Sequence, residues 1–319
     1  MTANATKPTR SPGYLGLLRS GLLEERMRTA NQHLERCDLC AHDCGVNRLQ
    51  TTEGAVCRTG EQALVCNFGP HHGEEEPISG WAGSGAIFFG RCNLHCVFCQ
   101  DWAMSQTGSG RSTTPDALAA MMLALQDRGC HNLNLISPSH VVAQIISAVF
   151  IAAQKGLRLP LVYNTGGYDS LEALRLLNGI VDIYLPDMKY GDSEASLRFS
   201  GAGDYTEVNR AAVLEMHRQV GDLVVDTEGV AIRGLLVRHL VLPGNAAGSS
   251  AVLDFIAQKI SPQTYLNLMD HYYPWYRADG FPPIGRSLRH GEFPRVLEMA
   301  EQRGLHRLDE HHERRRLGI

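Results

Sequence analysis

Between residues 86 and 269, short apolar runs of strand length alternate with amphipathic helical patterns, and this alternation limits the possible folds more than any other feature. The strand-like runs cover residues 86–89, 133–136, 161–163, 181–185, 235–242 and 265–269. The helical patterns cover residues 116–128, 141–155, 171–178, 207–220 and 251–260. Continuous apolar strands that alternate with helices indicate a parallel sheet with helices outside it. Because six units are too few for a closed eight-stranded barrel, the sequence predicts an α/β fold with a partial (β/α)6 barrel, whose functional groups lie at the carboxyl ends of the strands.

The rest of the chain divides around this barrel, which is predicted for residues 81–275. Residues 1–36 are predicted to form an N-terminal helical extension. Residues 276–319 are predicted to form a helical closure that ends in a charged amphipathic helix over residues 293–319. Residues 37–80 lack hydrophobic periodicity and are rich in Cys, Gly, His and acidic residues. A segment with so little apolar material needs a metal or a neighbouring domain to hold it in place.

Composition and charge exclude several classes of protein. A hydrophobic share of 44% and a charged share of 20% over 319 residues are typical of a globular chain with a sizeable core. The formal net charge of -4 gives no electrostatic reason to expect nucleic-acid binding. No apolar stretch approaches the roughly 18 residues of a membrane span, and the polar N-terminus does not resemble a signal peptide. A cytoplasmic protein with no membrane or nucleic-acid partner is predicted.

The nine cysteines carry the functional argument. An odd number of cysteines without an export signal argues against a disulfide framework, and closely spaced reduced thiols are more often metal ligands. Cys92, Cys96 and Cys99 follow the first predicted barrel strand in a Cys-x3-Cys-x2-Cys arrangement. Thiolates select iron–sulfur clusters, zinc or Cu(I), and three thiolates on a four-iron cluster leave one iron open for chemistry. The alternative is a structural zinc site with His95 as its fourth ligand, although zinc sites usually draw two ligands from each of two knuckles.

This cysteine loop, with Phe98 just before its last cysteine, resembles the signature of the radical S-adenosylmethionine (radical SAM) superfamily, whose enzymes use a partial six-unit barrel. From about residue 37 to residue 290, the chain is similar to an uncharacterised subgroup related to pyruvate formate-lyase activating enzyme. The segments that carry this closer resemblance are residues 74–80, 83–89, 163–168 and 237–244.

The resemblance implies a 4Fe–4S cluster on Cys92, Cys96 and Cys99, whose open iron binds S-adenosylmethionine. Electron transfer from a low-potential donor would cleave this cofactor to methionine and a 5′-deoxyadenosyl radical, which abstracts hydrogen from a substrate. An activating-enzyme-like oxidoreductase acting on a protein is one expectation, and a small-molecule substrate is equally compatible with the sequence. The sequence does not decide whether S-adenosylmethionine is consumed or regenerated.

Polar residues at the predicted strand ends are the candidates for the other cofactor contacts, namely Ser137, Asn164, Thr165, Asp187, Lys189, Arg238 and His271. Ser137 stands where the superfamily often has a Gly-Gly-Glu segment that meets the cofactor amino group, and its alternative role is to cap the following helix. Asn164 and Thr165 offer an amide and a hydroxyl, although a simple turn would explain the glycines beside them. Asp187 and Lys189 resemble the Asp-Leu-Lys segment of the activating enzymes, and a surface ion pair is the alternative.

Arg238 and His271 are candidate cofactor contacts because of their positions relative to the predicted strands. Arg238 lies within a predicted strand, where a guanidinium is costly unless it has a partner inside the protein. His271 follows the last predicted strand, near an active-site histidine of the activating enzymes, although a lone histidine is usually structural. His239 and Cys130 are interpreted as core residues.

A second group of cysteines lies upstream of the barrel. Cys37, Cys40, Cys44 and Cys57 provide four thiols, enough to coordinate zinc or a second iron–sulfur cluster completely. Ligand type does not separate these two options, and Cys66 is able to replace any one of the four. Buried free cysteines are the remaining alternative.

Two other classes of protein compete with the radical enzyme. A zinc-stabilised, non-catalytic binding protein would be colourless, and it leaves the three-thiol loop at the catalytic face of the barrel unexplained. An electron carrier would not need Asn164, Asp187 and Lys189 gathered at strand ends. The radical SAM reaction is therefore the favoured hypothesis.

Overall fold

The computed structural model describes residues 11–309, which form a mixed α/β fold around a nine-stranded sheet. The strands are β1 Ala63–His71, β2 Ser84–Phe89, β3 Arg111–Thr113, β4 Leu133–Ile136, β5 Leu161–Thr165, β6 Ile183–Pro186, β7 Val224–Val225, β8 Ala231–Leu240 and β9 Tyr265–Met269. The helices are α1 Tyr14–Ser20, α2 Leu22–Gln32, α3 Glu76–Ser79, α4 Trp102–Ser105, α5 Pro115–Asp127, α6 Val142–Gln154, α7 Leu171–Leu177, α8 Ser193–Ser200, α9 Tyr205–Val220, α10 Ser249–Phe255 and α11 Glu292–Glu301. No helix in this part of the chain is long and apolar enough to cross a lipid bilayer.

Six parallel strands form the wall of the barrel, in the order β2-β4-β5-β6-β8-β9. Each overlaps one of the six predicted strand segments, and α5, α6, α7, α9 and α10 occupy the predicted helical segments. The antiparallel strands β1 and β3 extend the sheet beyond β2, and the sheet does not close on itself. The predicted partial α/β barrel is confirmed.

Several short elements are absent from the sequence prediction, and β1 and α8 are the longest of them. Strand β1 lies in residues 37–80, where no strand is predicted, and it pairs with β2 in an antiparallel arrangement. Asn67, Gly69 and Pro70 interrupt its apolar pattern, which a strand outside the parallel core tolerates because one of its faces meets solvent. Helix α8 is likewise absent from the predicted pattern, since it has only eight residues and a largely polar sequence.

The C-terminal prediction is met only in part. Helix α11 covers Glu292–Glu301, whereas the predicted helix runs over residues 293–319. The chain leaves the helix after α11, and Leu308 forms a parallel bridge with Leu266 of β9. The Arg-rich end of the predicted helix, residues 310–319, lies outside the described residues, as does the polar segment of residues 1–10.

The connection between β1 and β2, residues 72–83, fills the interior of the barrel, and we call it the plug. Ile78 of α3 is fully buried among Val162, Ile183 and Leu236, which come from three different strands. The side-chain amide of Asn132 donates to the carbonyl oxygen of Ile78 at 2.7 Å. Because this connection crosses the barrel, the residues before Ile78 reach strands β8 and β9 on the far side.

Candidate active site

The cysteine loop follows β2 at the carboxyl end of the barrel strands. The backbone amides of His95 and Val97 donate to the carbonyl oxygens of Ser200 at 3.3 Å and Phe199 at 2.9 Å, at the end of α8. The hydroxyl of Ser200 also donates to the sulfur of Cys96 at 3.0 Å. Helix α8 therefore supports the loop from outside the barrel.

Cys92, Cys96 and Cys99 line one cavity of about 520 Å³ at the mouth of the barrel. Burial raises the pKa of Cys92 to about 12 and that of Cys99 to about 11, and neighbouring cysteines add to both shifts. Buried thiols that raise the pKa of one another need a nearby positive charge before they ionise. A bound metal cluster supplies such a charge.

The three thiols suit a cluster better than a single ion. Within residues 11–309, no group of three or more His, Cys, Asp or Glu side chains is arranged to hold one metal ion. A zinc ion needs all its sulfur ligands at about 2.3 Å, whereas thiolates on a four-iron cluster bind different irons and stand farther apart. His95, the alternative zinc ligand, instead brings its Nδ1 to within 2.9 Å of the Gln106 side-chain oxygen. The donor set and the shared cavity fit a 4Fe–4S cluster.

The side chains predicted to contact the cofactor line this same cavity; they are Ser137, Asn164, Thr165, Asp187, Lys189, Arg238 and His271. They lie at or just beyond the carboxyl ends of β4, β5, β6 and β9 and near the end of β8, which all meet at one edge of the sheet. The cavity therefore combines three thiols with amide, hydroxyl, carboxylate, ammonium and guanidinium groups.

The two hydroxyl residues have different surroundings. Ser137 does not cap α6, which begins at Val142. Its backbone has a φ of 58°, a left-handed conformation that is often found at functional sites when the residue is not glycine. Thr165 is fully buried, and its hydroxyl donates to the Asp169 carboxylate at 2.6 Å. Thr165 therefore holds the turn that follows β5, while Ser137 lies at the wall of the cavity.

Asp187 and Lys189 form an ion pair at the end of β6. Burial alone lowers the pKa of the Lys189 ammonium, but Asp187 and the nearby Cys96 outweigh it and raise that pKa above its ordinary value. The pair is not the surface contact that the sequence leaves open, because both side chains are largely buried. Lys189 is therefore a fixed positive charge beside the cysteine loop.

Two residues of α9, Tyr205 and Asn209, hold the turns of the site in place, and we call them the brace. The sequence does not predict this role. The Tyr205 hydroxyl accepts from the Lys189 amide at 3.1 Å and lies 2.8 Å from the Gly166 carbonyl oxygen and 3.0 Å from that of Asp187. The Asn209 side-chain amide donates to the carbonyl oxygens of Gly167 at 3.0 Å and Asp187 at 2.9 Å. The turns after β5 and β6 are thus tied to one helix.

Arg238 has the buried partners that its position within β8 requires. Its guanidinium forms ion pairs with Glu74 and Glu75, with Nε 2.6 Å from the Glu75 carboxylate. It also donates to the side-chain oxygen of Asn164 at 3.3 Å, and Asn267 donates to Glu75 at 2.7 Å. Burial alone raises the pKa of the Glu75 carboxyl, but Arg238 and Asn267 outweigh it and lower that pKa below its usual range. Residues of the plug therefore form the floor of the cavity.

Comparison with known families agrees with this geometry. Residues 86–238, from β2 to the end of β8, match the radical SAM superfamily. The match includes the cysteine loop and the turns that follow β4, β5 and β6.

One curated relative and three solved structures are similar to this chain. The chain is 29% identical to "Uncharacterized protein MJ0674" of Methanocaldococcus jannaschii over 299 residues, which cover 91% of this chain and 82% of the relative. The solved structure "Structure of TYW1 with a lysine-pyruvate adduct bound" is 11% identical to this chain with a TM-score of 0.43. The similarity covers 68% of this chain and 73% of the solved chain. A radical SAM methyltransferase from Sphaerobacter thermophilus also has a TM-score of 0.43, with 14% identity over 69% of this chain and 63% of its own. The cobalamin-dependent S-adenosylmethionine radical enzyme OxsB has a TM-score of 0.36, with 12% identity over 65% of this chain and 29% of its own.

The thiol-lined cavity contains further residues that the sequence does not predict. Gln100 and Asp101 follow the last cysteine, and Tyr272, Tyr273 and Trp275 follow β9. Burial raises the pKa of the Asp101 carboxyl. Proximity in sequence to the cysteine loop and to the last strand is the only signal that points to them.

The first cysteine group lies against the loop that carries Cys92, Cys96 and Cys99. Burial raises the pKa of the Cys40 thiol, and Cys57, Cys37 and Cys44 raise it further because they lie nearby. Cys66, the proposed substitute ligand, instead donates to the carbonyl oxygen of Ser109 at 2.7 Å.

A histidine within this group joins it to the loop. His42 has its Nε2 2.6 Å from the carbonyl oxygen of Asn93, and its ring packs edge-on against Tyr168 at 5.0 Å between centroids. Asn93 in turn donates to the Tyr168 carbonyl oxygen at 2.7 Å. The two cysteine groups are therefore linked through Asn93, which stands next to Cys92.

Proposed function

We propose that this protein is a radical SAM enzyme that binds a 4Fe–4S cluster through Cys92, Cys96 and Cys99 and reductively cleaves S-adenosylmethionine to abstract hydrogen from a substrate. The observation that supports this most directly is the single cavity lined by all three thiols and by polar side chains at the barrel strand ends. When bound, the cluster and S-adenosylmethionine supply a 5′-deoxyadenosyl radical, and the protein orients and shields them.

The residues of the chain divide this work among them. Lys189, kept cationic by Asp187, pairs with a carboxylate of the ligand. Asn164 adds an amide contact at the next strand end, while Leu94 and Phe98 give the cavity an apolar wall that excludes water. Arg238, which is engaged by Glu74 and Glu75, acts by fixing the cavity floor.

Anaerobic reconstitution tests this function. We expect about four irons with matching sulfide at the barrel site, and 5′-deoxyadenosine after addition of dithionite and S-adenosylmethionine. Cys96→Ala should abolish the product. Cys130→Ala, which removes a buried cysteine outside both groups, is the matched control and should retain it. Zinc alone and no cleavage, after reconstitution that succeeds with a known radical SAM enzyme, would leave a zinc-held binding protein instead.

We further infer an activating-enzyme-like oxidoreductase that works in the cytoplasm with a low-potential electron donor. The supporting observations are the likeness of residues 74–80 and 237–244 to the activating-enzyme-like subgroup and the state of the nine cysteines, none of which forms a disulfide within residues 11–309. Hydrogen abstraction from a glycine of an added glycyl-radical enzyme, followed by electron paramagnetic resonance, tests the subtype. Radical signal only on a small molecule would assign a different substrate class.

We also propose that Cys37, Cys40, Cys44 and Cys57 hold a second iron–sulfur cluster or a zinc ion. Within residues 11–309 they too are not arranged around one ion, so the four thiols would move closer together to bind zinc. The burial of Cys37, Cys40 and Cys57, and the closeness of the other three thiols to Cys40, support this assignment. Metal analysis of Cys40→Ala tests it. We expect loss of about four irons or one zinc per chain, with the barrel cluster retained. An unchanged metal content would mean that these cysteines are free.

A further inference from the structure

A second cavity of about 510 Å³ opens beside the thiol-lined cavity. The two cavities share part of their walls, including Glu74, Arg238 and Trp275. Among the described residues, no cysteine lines this second cavity, which we name the side cavity. It therefore adjoins the proposed site of radical formation without containing the cluster ligands, which is the position that a substrate requires.

Negative charge is in excess in the side cavity. Glu74, Glu75 and Asp270 line it together with one guanidinium, that of Arg238, and the imidazole of His271. Arg238 is already engaged by Glu74 and Glu75. The carboxylate of the half-buried Asp270 makes no hydrogen bond or ion pair within residues 11–309. One guanidinium does not neutralise three carboxylates, so a cation that enters this cavity is stabilised there.

The same excess extends over both cavities. Five carboxylates line them in total, against the two permanent cations Lys189 and Arg238 and the imidazoles of His71 and His271. The implied cofactors leave this excess in place. The sulfonium and ammonium of S-adenosylmethionine outweigh its one carboxylate, but a cluster with three thiolate ligands carries a compensating negative charge. A neutral or anionic substrate would therefore leave the cavities with uncompensated negative charge.

Two exposed aromatic rings complete the wall. Tyr273 and Trp275 are 54% and 46% exposed, and their ring centroids lie 4.9 Å apart. Both line the side cavity and the thiol-lined cavity. Aromatic faces attract ammonium and guanidinium groups and also pack against the apolar stem that carries such a group.

We propose that the side cavity is a substrate subsite that receives an alkylammonium or guanidinium group. This inference rests on the proposed function, because it assumes that hydrogen is abstracted from a molecule held next to the thiol-lined cavity. The charged group binds near Asp270, between the carboxylates and the aromatic pair, while the carbon that loses hydrogen extends toward the cysteines. A small amine and a lysine or arginine side chain of a polypeptide share this chemistry.

Calorimetric titration of the reconstituted protein, with its cluster oxidised so that no turnover occurs, tests the subsite. The probes are Nα-acetyl-lysine methylamide and its neutral isostere Nα-acetyl-norleucine methylamide. We expect the lysine probe to bind at least about tenfold more tightly. A peptide with one lysine flanked by glycines separates the two sources, since tighter binding of the peptide indicates a polypeptide substrate and weaker binding a small amine. Equal binding of the two methylamides, or no binding of either, would overturn the proposal.

Variants give a second readout. Asp270→Asn should weaken the lysine probe about tenfold and leave the norleucine probe unchanged. Asp279→Asn, which removes an exposed carboxylate outside both cavities, is the matched control and should change neither. If Asp270→Asn does not fold, Trp275→Leu provides the same comparison through the aromatic wall. Lysine binding by protein that forms no 5′-deoxyadenosine would refute the proposed function alone, whereas product formation without lysine preference would refute the subsite alone.

Discussion

Glu75→Gln should destabilise the protein strongly although it preserves the shape of the side chain. The Glu75 carboxylate accepts from Arg238 at 2.6 and 2.7 Å and from Asn267 at 2.7 Å, and only 1% of the side chain is exposed. Glutamine removes the charge and turns one hydrogen-bond donor toward the donors of Arg238. Breaking a buried ion pair costs about 3–5 kcal/mol. We expect a loss of about 3 kcal/mol, at the lower end, because Glu74 still faces Arg238.

Urea denaturation at neutral pH measures this loss, and pH provides a second check. Because Arg238 and Asn267 hold the pKa of Glu75 below its unfolded value of about 4.3, its contribution to the free energy of unfolding is complete above that pH. The contribution disappears as the pH falls through the folded pKa. The difference between wild type and Glu75→Gln should therefore shrink in acid.

Glu61→Gln is the matched control for this experiment. It removes an exposed carboxylate, and we expect a change within about 0.5 kcal/mol. A loss below about 1 kcal/mol in Glu75→Gln, or a difference from wild type that grows in acid, would refute the view that this ion pair anchors the plug.

Three further predictions concern the plug and the brace. Ile78→Ala should lower the free energy of unfolding by about 2–5 kcal/mol in urea denaturation, because the side chain is fully buried inside the barrel; a smaller loss would mean that the plug collapses into the space. Asn209→Ala should raise the KM for S-adenosylmethionine more than it lowers kcat in the 5′-deoxyadenosine assay, since it frees the two turns without removing a cavity side chain; an effect on kcat alone would contradict this role. Gly167→Ala should lose most activity, because its φ is 77° and a Cβ would lie 2.4 Å from the Asp187 carbonyl oxygen; wild-type activity would show that the turn moves freely.

The sequence predicts the parallel strands well because a strand buried on both faces is a continuous apolar run. It also predicts the residues around the thiol-lined cavity, because parallel strands place their carboxyl ends at one edge. Strand β1 is not predicted, because its polar face and Pro70 break the apolar run. The contacts of Tyr205 and Asn209 are not predicted for another reason. These residues lie on a helix distant in sequence from the turns they contact, and a tyrosine or asparagine on a helix has no distinctive spacing.

The sequence predicts that Arg238 has a buried partner, because burying a guanidinium alone is costly, but it does not identify Glu74 and Glu75 as that partner. These two residues belong to the segment of residues 74–80, which is notable in the sequence only for its family resemblance. Loop connections of this kind follow no hydrophobic period. Only the path of the chain across the barrel brings these groups together.

The brace formed by Tyr205 and Asn209 bears on the entropy of ligand capture. The turns after β5 and β6 would otherwise sample separate conformations, and a ligand that touches both would have to order them. One phenol and one amide hold the carbonyl oxygens of Gly166, Gly167 and Asp187 in a fixed relation. The two turns are therefore already ordered in the folded protein, and binding of the ligand does not carry the entropic cost of ordering them.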